Sequence, residues 1–140
     1  MMVLVETPVW SLALRRQPRH LNPEQQRLNH SLRELIQEGR AELIGPVRQE
    51  LLSGIREQSQ FRHLRDQLRA FPDVALSLED YEEAALMSNR CRASGIAESN
   101  VDMLICAIAA RRNWSVFTVD RDFIRYAELL GMRLHHGSEI

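Results

Sequence analysis

Residues 114 to 123 read WSVFTVDRDF. Val116, Phe117 and Val119 are strand formers in a short apolar run that stops at three charges, Asp120, Arg121 and Asp122. This pattern predicts a buried strand from Trp114 to Val119 that delivers acids to its carboxyl end. In an open α/β sheet, ligands bind in the crevice outside the carboxyl ends of the strands, where loops and helix amino termini converge. Function therefore turns on which other residues reach Asp120.

On the amino side of that strand, Ser99 caps a helix over 100–112, and its Val101, Leu104, Ile105, Ala107, Ile108 and Ala109 are apolar around most of the circumference, so it is expected to be buried. Asp102 falls in its first turn, near the positive end of the helix dipole. On the carboxyl side, a helix from Asp122 to Leu130 stops at Gly131, and a last strand lies near Met132 to His135. At the start of the chain, Met2 to Val5 reads as a strand ending at Glu6. Pro8 opens a helix with Thr7 as a candidate cap. The next helix has Asn22 as cap, Pro23 at its first position, Leu28, Leu32, Leu35 and Ile36 at helical spacing, and Gly39 as stop. Ala41 to Ile44 is expected as a second strand, and Gly45-Pro46 opens a helix that carries Glu50. A further helix spans Gln60 to Phe71, a short strand is expected at Val74 to Leu76, and Ser77, with Asp80 as a capping partner, starts a helix to Ala93. Strands alternating with helices predict an α/β fold with a mainly parallel central sheet and helices on both faces.

A length of 140 residues suits a single domain, with 44% hydrophobic and 26% charged residues and only six Gly and five Pro, which excludes disordered and fibrous classes. The net charge of −1 does not advertise nucleic acid, and all 18 basic residues are Arg, which reads first as compositional bias. Cys91 and Cys106 have no metal spacing and are expected to be reduced core thiols. No basic leader and no long apolar run is present, so a cytoplasmic protein without a membrane contact is expected.

The acids can now be placed. Glu6 ends one strand, Asp120 ends another, Asp102 opens a buried helix, and Glu50 lies on the helix after the second strand. Carboxylates within ~4 to 6 Å of one another repel and raise their own pKa values unless a cation neutralises them. An oxygen-only cluster suits Mg²⁺ or Mn²⁺, which also accept phosphate oxygens, and the chemistry implied is metal-assisted phosphodiester hydrolysis. Each acid also has a plainer reading: a dipole-complementing Asp102, a helix-capping Asp120 or Asp122, a surface Glu50. The joint pattern is the informative feature, and Thr7 and Thr118 add hydroxyls beside two of the acids.

The stretches VLVETPVW, PVRQELLSG, SNVDMLICAIAARR and VFTVDRDF, in this order and at these separations, resemble the PIN-domain ribonucleases, and within them the VapC-type toxins of toxin–antitoxin pairs. The resemblance implies an α/β/α sandwich with a parallel sheet and an acidic Mg²⁺-dependent site that cleaves RNA. By matching positions, Glu6, Glu50, Asp102 and Asp120 are implied as the catalytic acids. Glu6, Asp102, Asp120 and Asp122 are the implied metal ligands, with Mg²⁺ replaceable by Mn²⁺. A cognate antitoxin and a homodimer are implied as partners. Two positions depart from the family pattern: the first acid is normally Asp and here is Glu6, and the small hydroxyl residue two positions later is Pro8. Glu carries its carboxylate about 1.5 Å further from the backbone, so Glu6→Asp is expected to raise cleavage, or, where the fold has adjusted around Glu, to leave a gap and cut more slowly. The alternatives are a PIN-fold RNA-binding or antitoxin-binding protein with reduced catalysis, and a flap-type DNA nuclease, which would need a longer chain.

Of the arginines near the acids in sequence, namely Arg15, Arg16, Arg48, Arg111, Arg112 and Arg121, the expected substrate contacts are Arg112 and Arg121, alongside Thr7 and Thr118. Trp10 reads as a core or interface residue rather than a base-stacking one. His135 and His136 are adjacent on an extended segment and point opposite ways, so they read as surface residues. Leu12, Leu14, Leu28, Leu32, Leu35, Leu51 and Ile55 exceed what one thin sheet face needs, and part of that surface is expected to accept a partner's amphipathic segment.

Overall fold

The computed structural model describes residues 1–15 and 17–137. Four strands, β1 (Val3–Val5), β2 (Ala41–Glu42), β3 (Ser115–Phe117) and β4 (Arg133–Leu134), form one sheet in the order β2-β1-β3-β4. Every pairing is parallel, with Val3 opposite both Ala41 and Ser115, Val5 opposite Phe117, and Val116 opposite Leu134. Parallel strands need crossovers, and helices supply them. They are α1 (Thr7–Leu14), α2 (Pro23–Gln37), α3 (Gly45–Leu52), α4 (Gln58–Leu68), α5 (Leu78–Ala93), α6 (Asn100–Arg112) and α7 (Asp122–Leu130). Helices α1 to α4 pack on one another, as do α5 to α7, and the sheet joins the two groups into an α/β/α arrangement. No helix among the described residues is long and apolar enough to cross a membrane.

The helix boundaries follow local chemistry. Asn22 accepts the Gln25 amide N–H at 2.8 Å while the Gln25 side chain accepts that of Asn22 at 3.1 Å, a reciprocal cap. Ser77 and Asp80 form the same device at the start of α5. Asn113, in the left-handed conformation at φ 58°, ends α6 and turns the chain straight into β3, and Gly131 at φ 80° does the same between α7 and β4.

The core fills the space between these layers. Val3, Leu4, Val5, Val116 and Phe117 are fully buried in the central strands, as are Ile105, Cys106, Ala107, Ile108 and Ala109 on α6. Trp10 is fully buried too; its indole N–H donates to the Val5 carbonyl at 3.1 Å and its ring meets Phe71 edge-on at 4.9 Å. Cys91 and Cys106 are free, buried thiols.

Some expectations change. Val74 to Leu76 is not a strand: one bridge pairs Leu43 with Asp73, and the Val74 N–H donates to the Leu43 carbonyl at 2.9 Å. Pro72 lacks an N–H to extend that ladder. Leu12, Leu28, Leu32, Leu35 and Leu51 are consumed by packing among α1, α2 and α3, so these five do not leave a free partner surface, and only Leu14 and Ile55 stay half-covered at the edge of that core. The large apolar side chains that do stand in solvent include Leu78, Tyr81 and Leu86, all on α5.

Candidate active site

The chain leaves β1 toward β2 on one side and returns to β3 on the other, so the order reverses between β1 and β3. Such a switch point opens a crevice at the carboxyl edge. The Glu6 N–H donates to the Phe117 carbonyl at 2.9 Å, which carries the β1–β3 ladder one residue past the strand and sets Glu6 beside Thr118. Glu6 is buried, and its Oε1 accepts the Thr118 hydroxyl. Thr118, with no exposed surface, in turn accepts the Asp120 N–H at 2.9 Å, and Asp120 Oδ1 accepts the Asp122 N–H at 2.9 Å. One relay of hydrogen bonds therefore runs from the end of β1 to the start of α7.

The other two acids arrive by helix geometry. Because α6 leads into β3 through the tight Asn113 turn, it runs opposite to the strands, and its amino end lies at their carboxyl edge. Asp102 sits there, its N–H held by Ser99 Oγ at 3.1 Å. Helix α3 starts from β2 at the same edge, and Glu50 Oε1 accepts the Thr7 hydroxyl at 2.8 Å. Beside Thr7 and Glu50 a cleft of about 570 Å³, also lined by Pro46, Gln49, Ser53 and Val101, opens to solvent.

Electrostatics show that the acids share one field. Burial pushes the Glu6 carboxyl up to about 7; the Thr118 hydroxyl opposes the rise, and the charges of Asp102, Asp120 and Glu50 add to it. Burial likewise pushes Asp102 up to about 6, with the Ser99 bond opposing and Asp120, Glu50 and Asp122 adding. Cys106 and Tyr126 lie beneath the cluster. Both are raised, first by burial and then by Asp102.

The fold agrees with the comparisons. The family model of the PIN domain matches residues 3–129. The chain belongs to the PIN-domain family. Its fold is shared with the crystal structure of FitAcB from Neisseria gonorrhoeae at a TM-score of 0.76 and 20% identity, covering 97% of this chain and 98% of that one. VapBC2 from Rickettsia felis, bound to a DNA fragment from its promoter, is similar at a TM-score of 0.72 and 18% identity, covering 96% and 98%. FitAB bound to the IR36 DNA fragment is similar at 0.75 and 18%, covering 99% and 97%. Among curated proteins no sequence matches the chain.

Not every expected residue comes to the acidic edge of this PIN domain. Arg112 does not: it ends α6 about 15 Å from Asp102, ten residues of helix away. There its Nη1 and Nη2 each meet Asp80 at 2.9 Å, and Nη2 also donates to the Ala75 carbonyl at 3.1 Å. Arg111 joins the same Asp80 at 2.5 Å. Arg48 is likewise engaged, by Asp73 at 2.8 Å and by the Leu68 and Phe71 carbonyls. Arg121 is at the edge, exposed at the N-cap of α7 between Asp120 and Asp122. Asp122 is half-exposed and paired with Arg125 at 2.8 Å, a neighbour that its i, i+3 spacing on the helix foretells. His135 is half-buried against Phe117, with ring centroids 5.1 Å apart, and His136 is exposed. Arg16 lies outside the described residues.

As a metal site the cluster is open. Among the described residues no three His, Cys, Asp or Glu side chains are gathered tightly enough to enclose an ion. The donors are all carboxylate and hydroxyl oxygens, graded from buried Glu6 through half-buried Asp102 and Asp120 to exposed Glu50. That set suits a hard cation that keeps most of its waters and takes one or two carboxylates plus substrate oxygens, as Mg²⁺ does.

Proposed function

We propose that this PIN domain, with residues 1–140 as one domain, is an endoribonuclease dependent on Mg²⁺, with Mn²⁺ able to substitute. We propose further that it acts in the cytoplasm as the toxin of a type II toxin–antitoxin pair. The observation that supports the catalytic reading is the meeting of Glu6, Glu50, Asp102 and Asp120 at the β1/β3 switch point, where each adds to the proton affinity of buried Glu6 or is raised by the others. Like charges held together this way want a cation. A bound Mg²⁺ would neutralise charge on the phosphate and lower the pKa of the attacking water.

The chain's own work is orientation. Thr118 fixes the Glu6 carboxylate and the Asp120 backbone with one hydroxyl, and Thr7 fixes Glu50. Asp102, Asp120 and Asp122 present oxygens at the mouth of the crevice, and Arg121 sets a guanidinium beside them for a phosphate. The acids hold the ion and are not nucleophiles. Cleavage of a single-stranded RNA with Mg²⁺, abolished by chelation and by Asp102→Asn, is the expected result. A wild-type protein that cuts equally well in excess chelator would overturn the reading.

The toxin assignment draws on family membership and on the FitAcB and VapBC2 structures, which support a cognate antitoxin as partner. A homodimer is supported by the exposed Leu78, Tyr81 and Leu86 on α5. One observation favours a second reading, an RNA- or antitoxin-binding protein with reduced catalysis: Glu6 is turned into a buried hydrogen bond with Thr118. The same assay separates the two, because that protein would bind RNA and fail to cut it at any Mg²⁺ concentration.

A further inference from the structure

Five carboxylates at the crevice repel a polyanion, so an RNA strand needs cations close by, and most arginines near the site are already committed. Arg48, Arg92, Arg111, Arg112 and Arg125 are each held by a carboxylate. Arg15 and Arg56 are not: both are exposed, and neither side chain has a hydrogen-bond or ion-pair partner among the described residues. They face the same cleft of about 850 Å³, at the carboxyl end of α1 and the α3–α4 connection, with Gln17, Gln60 and His63 on its walls. The one acid among its described lining residues, Glu57, accepts the Ser59 hydroxyl and keeps its charge, so the arginines are in excess by one. This cleft begins at Gly54, the residue after Ser53, which lines the cleft beside Glu50. Helix α1 connects the two clefts along its own length, about 12 Å from Thr7 to Leu14.

We propose that the Arg15–Arg56 cleft is a subsite for the sugar-phosphate backbone of single-stranded RNA flanking the cut, about three or four stacked nucleotides from the acids. The inference rests on the ribonuclease reading above. Charge complementarity selects the occupant: two guanidiniums, forked for phosphate, outnumber the single Glu57 carboxylate in a cleft of mixed polar and apolar walls whose Gly54 end adjoins the cleft beside Glu50. Among the described residues His63 is the only aromatic ring on its walls, so the subsite reads backbone charge and not base identity.

The test compares binding and cleavage of oligouridines of about 2 and about 12 nucleotides by wild type, Arg15→Gln/Arg56→Gln, and the control Arg33→Gln, an exposed arginine on α2. Only the longer strand reaches the second cleft. In the double variant the ratio of affinities for the long over the short strand should fall about ten-fold, and the slope of log affinity against log salt should flatten by about 1.4, two single-strand phosphate contacts. The control should keep both values. A double variant with the wild-type length advantage and salt slope overturns the subsite while wild-type cleavage leaves the nuclease reading standing. A wild type that neither binds nor cuts either strand overturns both. Loss of an acidic partner protein by the double variant, with RNA binding intact, would make the cleft a protein-docking surface and also overturns the proposal.

Discussion

Glu6 is the residue on which the site's chemistry depends most. One more methylene than Asp carries its carboxylate to the Thr118 hydroxyl, so the structure is built around the longer side chain. The sequence-based expectation that Glu6→Asp raises activity therefore reverses. Shortening the arm by about 1.5 Å breaks the Thr118 bond, and misplacement on this scale costs up to ~10²-fold in rate. We expect Glu6→Asp to cut more slowly than wild type at saturating Mg²⁺ and Glu6→Gln to lose cleavage altogether. Initial rates measured side by side decide it, and an Asp variant as fast as wild type would show that Thr118 does not set the carboxylate's place. The raised proton affinities add a pH prediction. Glu6 at about 7 and Asp102 at about 6 must lose protons before they can hold a cation, so cleavage should rise with pH across that interval. The cation favours the ionised forms, so the midpoint of the rise should move to lower pH as Mg²⁺ increases.

At the scale of elements, the join between α5 and α6 decides rigidity far from the acids. Asp80, with no exposed surface, ties the start of α5 to the end of α6 through Arg111 and Arg112 and its own capping bond to Ser77. Arg112, with the Ser77 N–H and then Arg111 behind it and burial opposing, holds its carboxyl well below the usual carboxylate range. Its contribution to stability is accordingly present above the ordinary Asp value of 3.8 and fades as pH falls below it. Asp80→Ala removes the shared acceptor and should cost about 2 to 3 kcal/mol by urea unfolding, less than a fully buried pair because both arginines reach solvent. The exposed stripe on α5 carries the assembly prediction. Leu86→Glu combined with Tyr81→Glu should convert a dimer to a monomer by light scattering while the helical circular dichroism of the chain is kept, because neither side chain is buried in the core of its own chain.

For the whole molecule, the acid cluster is a liability that the fold carries in the absence of a cation. A carboxyl raised on folding binds more protons in the native state, so stability is present below its ordinary pKa and lost as pH rises through the folded value. For Glu6 that window runs from 4.5 to about 7. At about 1.4 kcal/mol per tenfold change in proton affinity, Glu6 alone contributes on the order of 3 kcal/mol of pH-dependent loss. The melting temperature of the metal-free protein should thus fall between pH 5 and pH 7, roughly the span set by these two acids. Millimolar Mg²⁺ or Mn²⁺ should restore it through binding to the folded state. A flat profile with and without Mn²⁺ would show that the acids do not share a field.

Much of this was legible in one dimension. The caps at Asn22, Ser77 and Ser99, the stop at Gly131 and the apolar periodicity of 100–112 are local effects, and local effects are written in neighbouring residues. The alternation of strand and helix determined a parallel sheet, and acids at strand ends could be assigned to one edge because parallel strands all finish on the same side. What the linear order could not contain was direction along a helix and the partner across space. Arg112 looked close to Asp102 at ten residues' distance, yet a helix spends those residues travelling to the opposite edge, where buried Asp80 captures the guanidinium. The surplus leucines looked like a partner surface until helix packed on helix covered them. That Thr118 would reach Glu6, 112 residues away in sequence, and that Arg15 and Arg56 would share one cleft, were decided by tertiary structure alone. Hydrogen bonds and charges are satisfied by whatever the fold brings within a few ångströms, and sequence separation does not limit that.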